Sequence, residues 1–171
     1  MRKVFFLITV LSMHAGLSGQ SNQFEGRMVT EDEVPEEVLA SHEDNFAGKK
    51  VVRWRFQRST GANGTTLERY VVTMKEGKRP LSNARYTPDG ELIFYAEYYG
   101  SKTIPGKLMP DLKENFPAHR ITGGTHIKLY KTKKEYYRIR LKKGSTVTYV
   151  FYDKDGNQVD RNQLPADADF G

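Results

Sequence analysis

The chain has 171 residues and a mass of 19.6 kDa, with 37% hydrophobic and 28% charged residues, 10 Tyr and 9 Phe. That length holds one ordinary domain or two small units sharing a core, and that aromatic content belongs to a folded chain. Cysteine is absent, which excludes a disulfide framework, a thiolate metal site and a cysteine nucleophile. The formal net charge of +6 includes Arg2 and Lys3 and is too small to argue for a nucleic-acid partner.

The first segment reads as an address. Arg2 and Lys3 precede an apolar run from Val4 to Leu11, and Gly16-Leu17-Ser18-Gly19 offers small residues for signal peptidase, so residues 1–19 are expected to be a cleaved secretory signal. The apolar run is far shorter than the roughly 20 residues that span a bilayer. With no cysteine after it, lipoprotein attachment is excluded, and a periplasmic or secreted location is expected. Residues 20–33 read as an N-terminal arm.

Residues 34–46, VPEEVLASHEDNF, read as a short helix. Val34, Val38, Leu39, His42 and Phe46 share one face. Pro35 suits a first turn, Glu36 and Glu37 suit the positive helix end, and Gly48 ends the segment. Alternating segments follow. Val52, Trp54 and Phe56 oppose Arg53, Arg55 and Gln57; Tyr70, Val72 and Met74 oppose Arg69, Val71 and Thr73; Leu92, Phe94, Ala96 and Tyr98 oppose Ile93, Tyr95, Glu97 and Tyr99. This period of two marks half-buried antiparallel strands.

Residues 104–116, IPGKLMPDLKENF, repeat the opening helix at an offset of 70, with Pro110 placing the second helix's start later than Pro105. The match continues: Tyr70–Gly77 parallels Tyr137–Gly144, and Tyr86–Gly90 parallels Tyr152–Gly156. In this half Ile127 and Leu129, then Tyr137, Ile139 and Leu141, then Val147, Tyr149 and Phe151 take the apolar role. Glu76-Gly77, Asp89-Gly90, Lys143-Gly144 and Asp155-Gly156 read as hairpin turns. The expected fold is α+β: two tandem helix-plus-four-stranded antiparallel units, at 34–100 and 101–163, with the helices on one face of the sheet and an acidic tail at 164–171.

The opposite face is then open. On it the alternation places Arg53, Arg55, Arg69, Tyr95 and Tyr99 from the first unit and Tyr136, Arg138 and Arg140 from the second. Arg and Tyr combine large contact area with a polar tip and are enriched at protein–protein hot spots. These eight are the candidate binding residues.

The Val/Ile-Pro opening, the helix closed by Asn-Phe, the Trp-bearing first strand and the Tyr-Asp-Lys-Asp-Gly-Asn turn resemble the β-lactamase-inhibitor-like, or PepSY-like, proteins secreted by many Gram-negative bacteria. The resemblance spans most of residues 34–160. It implies a tandem helix-plus-sheet fold, a periplasmic or secreted location and a non-enzymatic binding role. Inhibition of a β-lactamase is not implied for each member. Gly123-Gly124 and the missing second Trp depart from the first unit's pattern.

Chemical signatures are sparse. His42, His119 and His126 form no His-x-x-x-His pair, and neither an HExxH segment nor a Gly-x-Ser-x-Gly elbow occurs. No catalytic residue, cofactor or metal site is therefore expected. Asp153-Lys154-Asp155-Gly156-Asn157 lacks the twelfth-position Glu of a calcium loop, and reads as a hairpin turn. Residues 20–100 carry 11 Lys and Arg against 13 Asp and Glu, whereas residues 101–171 carry 14 against 8. Lys128, Lys131, Lys133, Lys134, Lys142 and Lys143 cluster in that basic half, where they protect strand ends or capture an anionic glycan or lipid. The expected partner is an envelope or secreted protein, with the anionic ligand as the alternative.

Overall fold

The computed structural model describes residues 25–60, 65–78 and 81–165. The expected leader, the glycine-rich loop at 61–64 and most of the acidic tail lie outside the described residues. The elements run β1 (Glu25–Val29), α1 (Glu36–Phe46), β2 (Lys50–Thr60), β3 (Thr66–Lys75), β4 (Ser82–Tyr86), β5 (Leu92–Gly100), α2 (Met109–Asn115), β6 (Arg120–Leu129), β7 (Lys134–Lys143), β8 (Thr146–Asp153) and β9 (Gln158–Val159). All nine strands form one sheet in sequence order, and every neighbouring pair is antiparallel.

This architecture replaces the expected pair of helix-plus-four-strand units. β5 and β6 pair along seven positions, from Phe94 opposite Leu129 to Gly100 opposite Gly123, so the sheet is continuous where a unit boundary was expected. The arm also contributes a strand, since β1 pairs with β2 ahead of the first helix. With α1 at 11 residues and α2 at 7, the molecule is a β-rich sheet carrying two short helices. The physical reason lies in β5: Phe94 and Ala96 are buried on one side of it and Tyr95 on the other, so this strand needs cover on both faces.

Helix placement follows local chemistry. α1 starts after Pro35, with Glu36 and Glu37 in its positive first turn. α2 starts at Met109, with Pro110 in the first turn, where a missing N–H costs nothing. Gly77, Gly90, Gly144 and Gly156 all take positive φ, as their turns require.

Both helices pack on the same side of the sheet. Val38 and Phe46 of α1 meet Trp54, Val72, Met74, Tyr86 and Tyr95. Leu108 and Leu112 meet Tyr137, Ile139, Leu141, Val150 and Tyr152, with Tyr99 against them. Two buried tyrosines tie the helices down: Tyr86 Oη lies 3.1 Å from His42 Nδ1, and Tyr152 Oη donates to Asp111 Oδ2 at 2.6 Å. A third cluster, Phe94, Ala96, Ile127, Leu129 and Tyr136, forms on the opposite side, with Leu164 packed against it. The chain after β9 therefore crosses back over that face.

Three irregularities reset the alternation, one of them in β6 between Ile121 and Gly123. A bulge between Val51 and Arg53 puts Val51 against the α1 core and leaves Val52 50% exposed. A second, where Arg85 faces Phe94 and Tyr86 faces Leu92, leaves Ile93 unpaired and sends Leu92 and Phe94 to opposite sides.

Candidate functional site

Directly paired residues of an antiparallel sheet share a face, so the register assigns sides. Trp54, Val72, Ala84, Tyr95, His126 and Tyr137 lie on the helix-covered face. Arg53, Arg55, Arg69, Arg85, Arg138 and Arg140 lie on the other, which we call the open face. Of the expected binding residues, Arg53, Arg55, Arg69, Tyr136, Arg138 and Arg140 thus share a side, and Tyr136 there is a buried member of the third cluster. Tyr95 and Tyr99 do not join them. Tyr95 is buried beside Phe46, ring centroids 5.1 Å apart, and its hydroxyl accepts from Lys49 Nζ at 2.8 Å. Tyr99 packs against the α2 core, where burial, with Glu97 next in effect, pushes its hydroxyl pKa up to about 12. The second bulge is the cause, since it exchanges the faces of β5 after Leu92.

The register also brings in residues that the alternation assigned elsewhere or left unassigned. Tyr98 lies on the open face and its hydroxyl accepts from Asn83 Nδ2 at 2.9 Å. Tyr149 and Phe151 pair with Arg140 and Arg138 and share their side. Arg85 is 8% exposed with its guanidinium 4.2 Å from the Phe94 ring centre. Arg138 lies 5.1 Å from the Tyr149 ring centre, a cation–π arrangement. Burial lowers the Arg138 pKa, Tyr98 and Tyr149 oppose that shift, and Arg161 adds like-charge repulsion. The cue available in the sequence was the Arg-x-Arg pattern of β7, continued across the sheet.

A groove of about 270 Å³ opens here, lined by Tyr98, Tyr99, Gly123, Gly124, Thr125, Arg138, Arg140 and Tyr149. The charge around it is one-sided. The strands contain five acidic residues, and Glu25, Glu68, Glu97 and Glu135 pair with residues of the helix-covered face. The fifth, Asp153, sits at the end of β8, where its carboxylate accepts from the backbone N–H of Asp155 and of Asn157 and from Asn157 Nδ2, each at 2.9 Å. These bonds lower its pKa against the effect of burial and make the segment a hairpin turn.

The histidines occupy structural positions. His42 is buried against Trp54 and Tyr86, and burial lowers its pKa. His126 stacks on Tyr137 at 4.7 Å and meets Glu135 Oε2 at 2.7 Å; burial lowers its pKa while Glu135 opposes the shift. His119 packs edge-on to Phe116. Among the described residues no group of three or more His, Asp or Glu is placed to hold a metal ion. No helix of the described residues is long and apolar enough to cross a membrane.

The basic half divides in the same way. Lys131, Lys133 and Lys134 lie at the β6–β7 turn and Lys142 and Lys143 at the β7–β8 turn. These are opposite ends of a ten-residue strand, about 30 Å apart at strand rise.

No family model matches the chain, and no curated protein matches it significantly. Similar solved structures include the following two. One, a "putative calcium-regulated periplasmic protein" of Bacteroides thetaiotaomicron, is 15% identical with a TM-score of 0.33, over 79% of this chain and 94% of that one. The other, a "putative periplasmic protein" of the DUF2874 family from Bacteroides vulgatus, is 13% identical with a TM-score of 0.33, over 80% of this chain and 95% of that one.

Proposed function

We propose that the chain is a non-enzymatic binding protein, exported to the periplasm or beyond, that docks a protein partner through the open face of its sheet. One observation carries this reading: six arginines gather on one side of the sheet while the carboxylates of the strands lie on the other or are engaged in a turn. A surface of guanidinium groups, two of them (Arg85 and Arg138) seated over aromatic rings, is the composition of an interface centre, combining area, low hydration and directed hydrogen bonding. The leader-like first 19 residues and the resemblance to secreted β-lactamase-inhibitor-like proteins support the location and the non-catalytic role. Capture of an anionic glycan or lipid by the lysines is the weaker reading, because those lysines stand at opposite ends of β7.

Capture from the cell envelope tests this. The parent chain is expected to enrich one protein and to retain it at moderate salt, whereas the Arg138→Ser/Arg140→Ser variant loses it with little change in melting temperature. Equal capture by both variants, or capture of glycan or lipid alone that salt abolishes, contradicts the reading.

A further inference from the structure

The groove on the open face exists because two cross-strand positions lack side chains. Gly123 of β6 stands between Gly100 of β5 and Arg140 of β7, so a trough opens between Tyr98 and Tyr149. The trough is built into the backbone: a Cβ on Gly123 would lie 3.0 Å from the Tyr99 carbonyl oxygen. Among the described residues its lining contains two guanidinium groups and two open-face tyrosines and no carboxylate.

We propose that this groove receives a carboxylate side chain from an extended acidic segment of the partner protein, an inference that rests on the open face being the docking surface. Charge complementarity carries it. A guanidinium presents a planar fork that matches a carboxylate through two parallel N–H···O bonds, and partial desolvation strengthens such pairs. The cation–π contact with Tyr149, 5.1 Å from the ring centre, places the Arg138 guanidinium beside the groove. Arg140 projects from the next outward position of β7, where its Nη1 reaches Thr122 Oγ1 at 3.4 Å. At about 270 Å³ the groove falls just below the usual range for a whole small ligand and suits a side chain presented by a larger partner.

The test titrates the purified, isotope-labelled chain with acetyl-capped hexaglutamate amide and follows backbone amides by NMR. The expected result is saturable binding with shifts centred on Gly123, Thr125 and Tyr149, and no binding of the hexaglutamine analogue. Arg140→Glu weakens binding at least about tenfold, while Lys143→Glu, the same charge change at the strand's end on the other side, stays within about twofold. Equal losses in both variants, shifts at the lysines, preference for a heparin fragment, or failure of hexaglutamate to bind each overturn the inference. Tighter binding by Asp167→Asn/Asp169→Asn also overturns it, by making the chain's own tail the occupant. A captured partner that survives Arg140→Glu but is lost on Arg53→Ser/Arg55→Ser refutes the groove alone, whereas one that survives both refutes the docking face as well.

Discussion

The two Asp-Gly turns make opposite predictions for one substitution. Gly90 and Gly156 both close hairpins with positive φ, at 84° and 95°, and both turns approach a helix start. A Cβ on Gly90 would lie 2.6 Å from the carbonyl oxygen of Glu37 and 2.9 Å from its carbonyl carbon, so α1 must move to admit it. A Cβ on Gly156 would meet Lys107 O at 3.5 Å and Leu108 Cδ2 at 3.6 Å, which is ordinary contact. Gly156→Ala should therefore cost only the left-handed backbone, about 1–2 kcal/mol. Gly90→Ala adds the displacement of packed structure, about 1–3 kcal/mol more. Gly144→Ala, at φ 59° with nothing within 4 Å, isolates the backbone contribution. At roughly 2–4 °C per kcal/mol for a chain of this size, calorimetry should place Gly144→Ala and Gly156→Ala together and Gly90→Ala at least about 2 °C lower. Melting of Gly90→Ala level with the other two would show that the turn is not seated on α1.

Other perturbations follow from the same contacts. Tyr152→Phe removes the donor to Asp111 inside the α2 core and should cost about 1–2 kcal/mol by urea unfolding; an unchanged midpoint would show the bond contributes nothing. Gly124→Ala brings a Cβ within 2.9 Å of the Ile104 and Ile139 methyl ends and 3.3 Å of the Arg138 carbonyl, and should cost about 1–3 kcal/mol by the same measurement. His42 titrates at a pKa below its unfolded value of about 6.5, so the folded state binds fewer protons. Its contribution is complete above that pH and is lost as pH falls from about 6.5 toward the folded pKa, by up to about 1.4 kcal/mol per pH unit. Unfolding midpoints of His42→Gln should fall less steeply in this window than the parent's, with a remaining slope from His126, which is shifted the same way; parallel slopes would contradict the assignment.

Turn chemistry was the most legible part of the fold. Each Gly that needed positive φ was visible beside Asp, Glu or Lys, and Pro110 marked the second helix start within a residue. The grouping of Arg53, Arg55 and Arg69, and of Arg138 and Arg140, was legible from alternation alone. What alternation cannot supply is the absolute face, because one inserted residue exchanges the sides. The bulge beside Ile93 did that to β5, placing Tyr95 and Tyr99 under the helices and Tyr98 on the open face. Continuity of the sheet was hidden for a related reason. Phe94, Ile127 and Leu129 look like residues of one buried side, yet they are covered away from the helices, by Tyr136 and Leu164. β1 carried no strong pattern, with only Val29 of its five residues buried.

The central claim is that partners meet the sheet on the side away from the helices. Site-specific photo-crosslinking tests it directly, with a benzophenone amino acid placed in the chain either at Tyr149, on the open face, or at Lys113, exposed on α2. The account predicts a discrete crosslinked protein from position 149 and none from position 113. The same product from position 113, or from it alone, would place the partner on the helices and contradict the docking face.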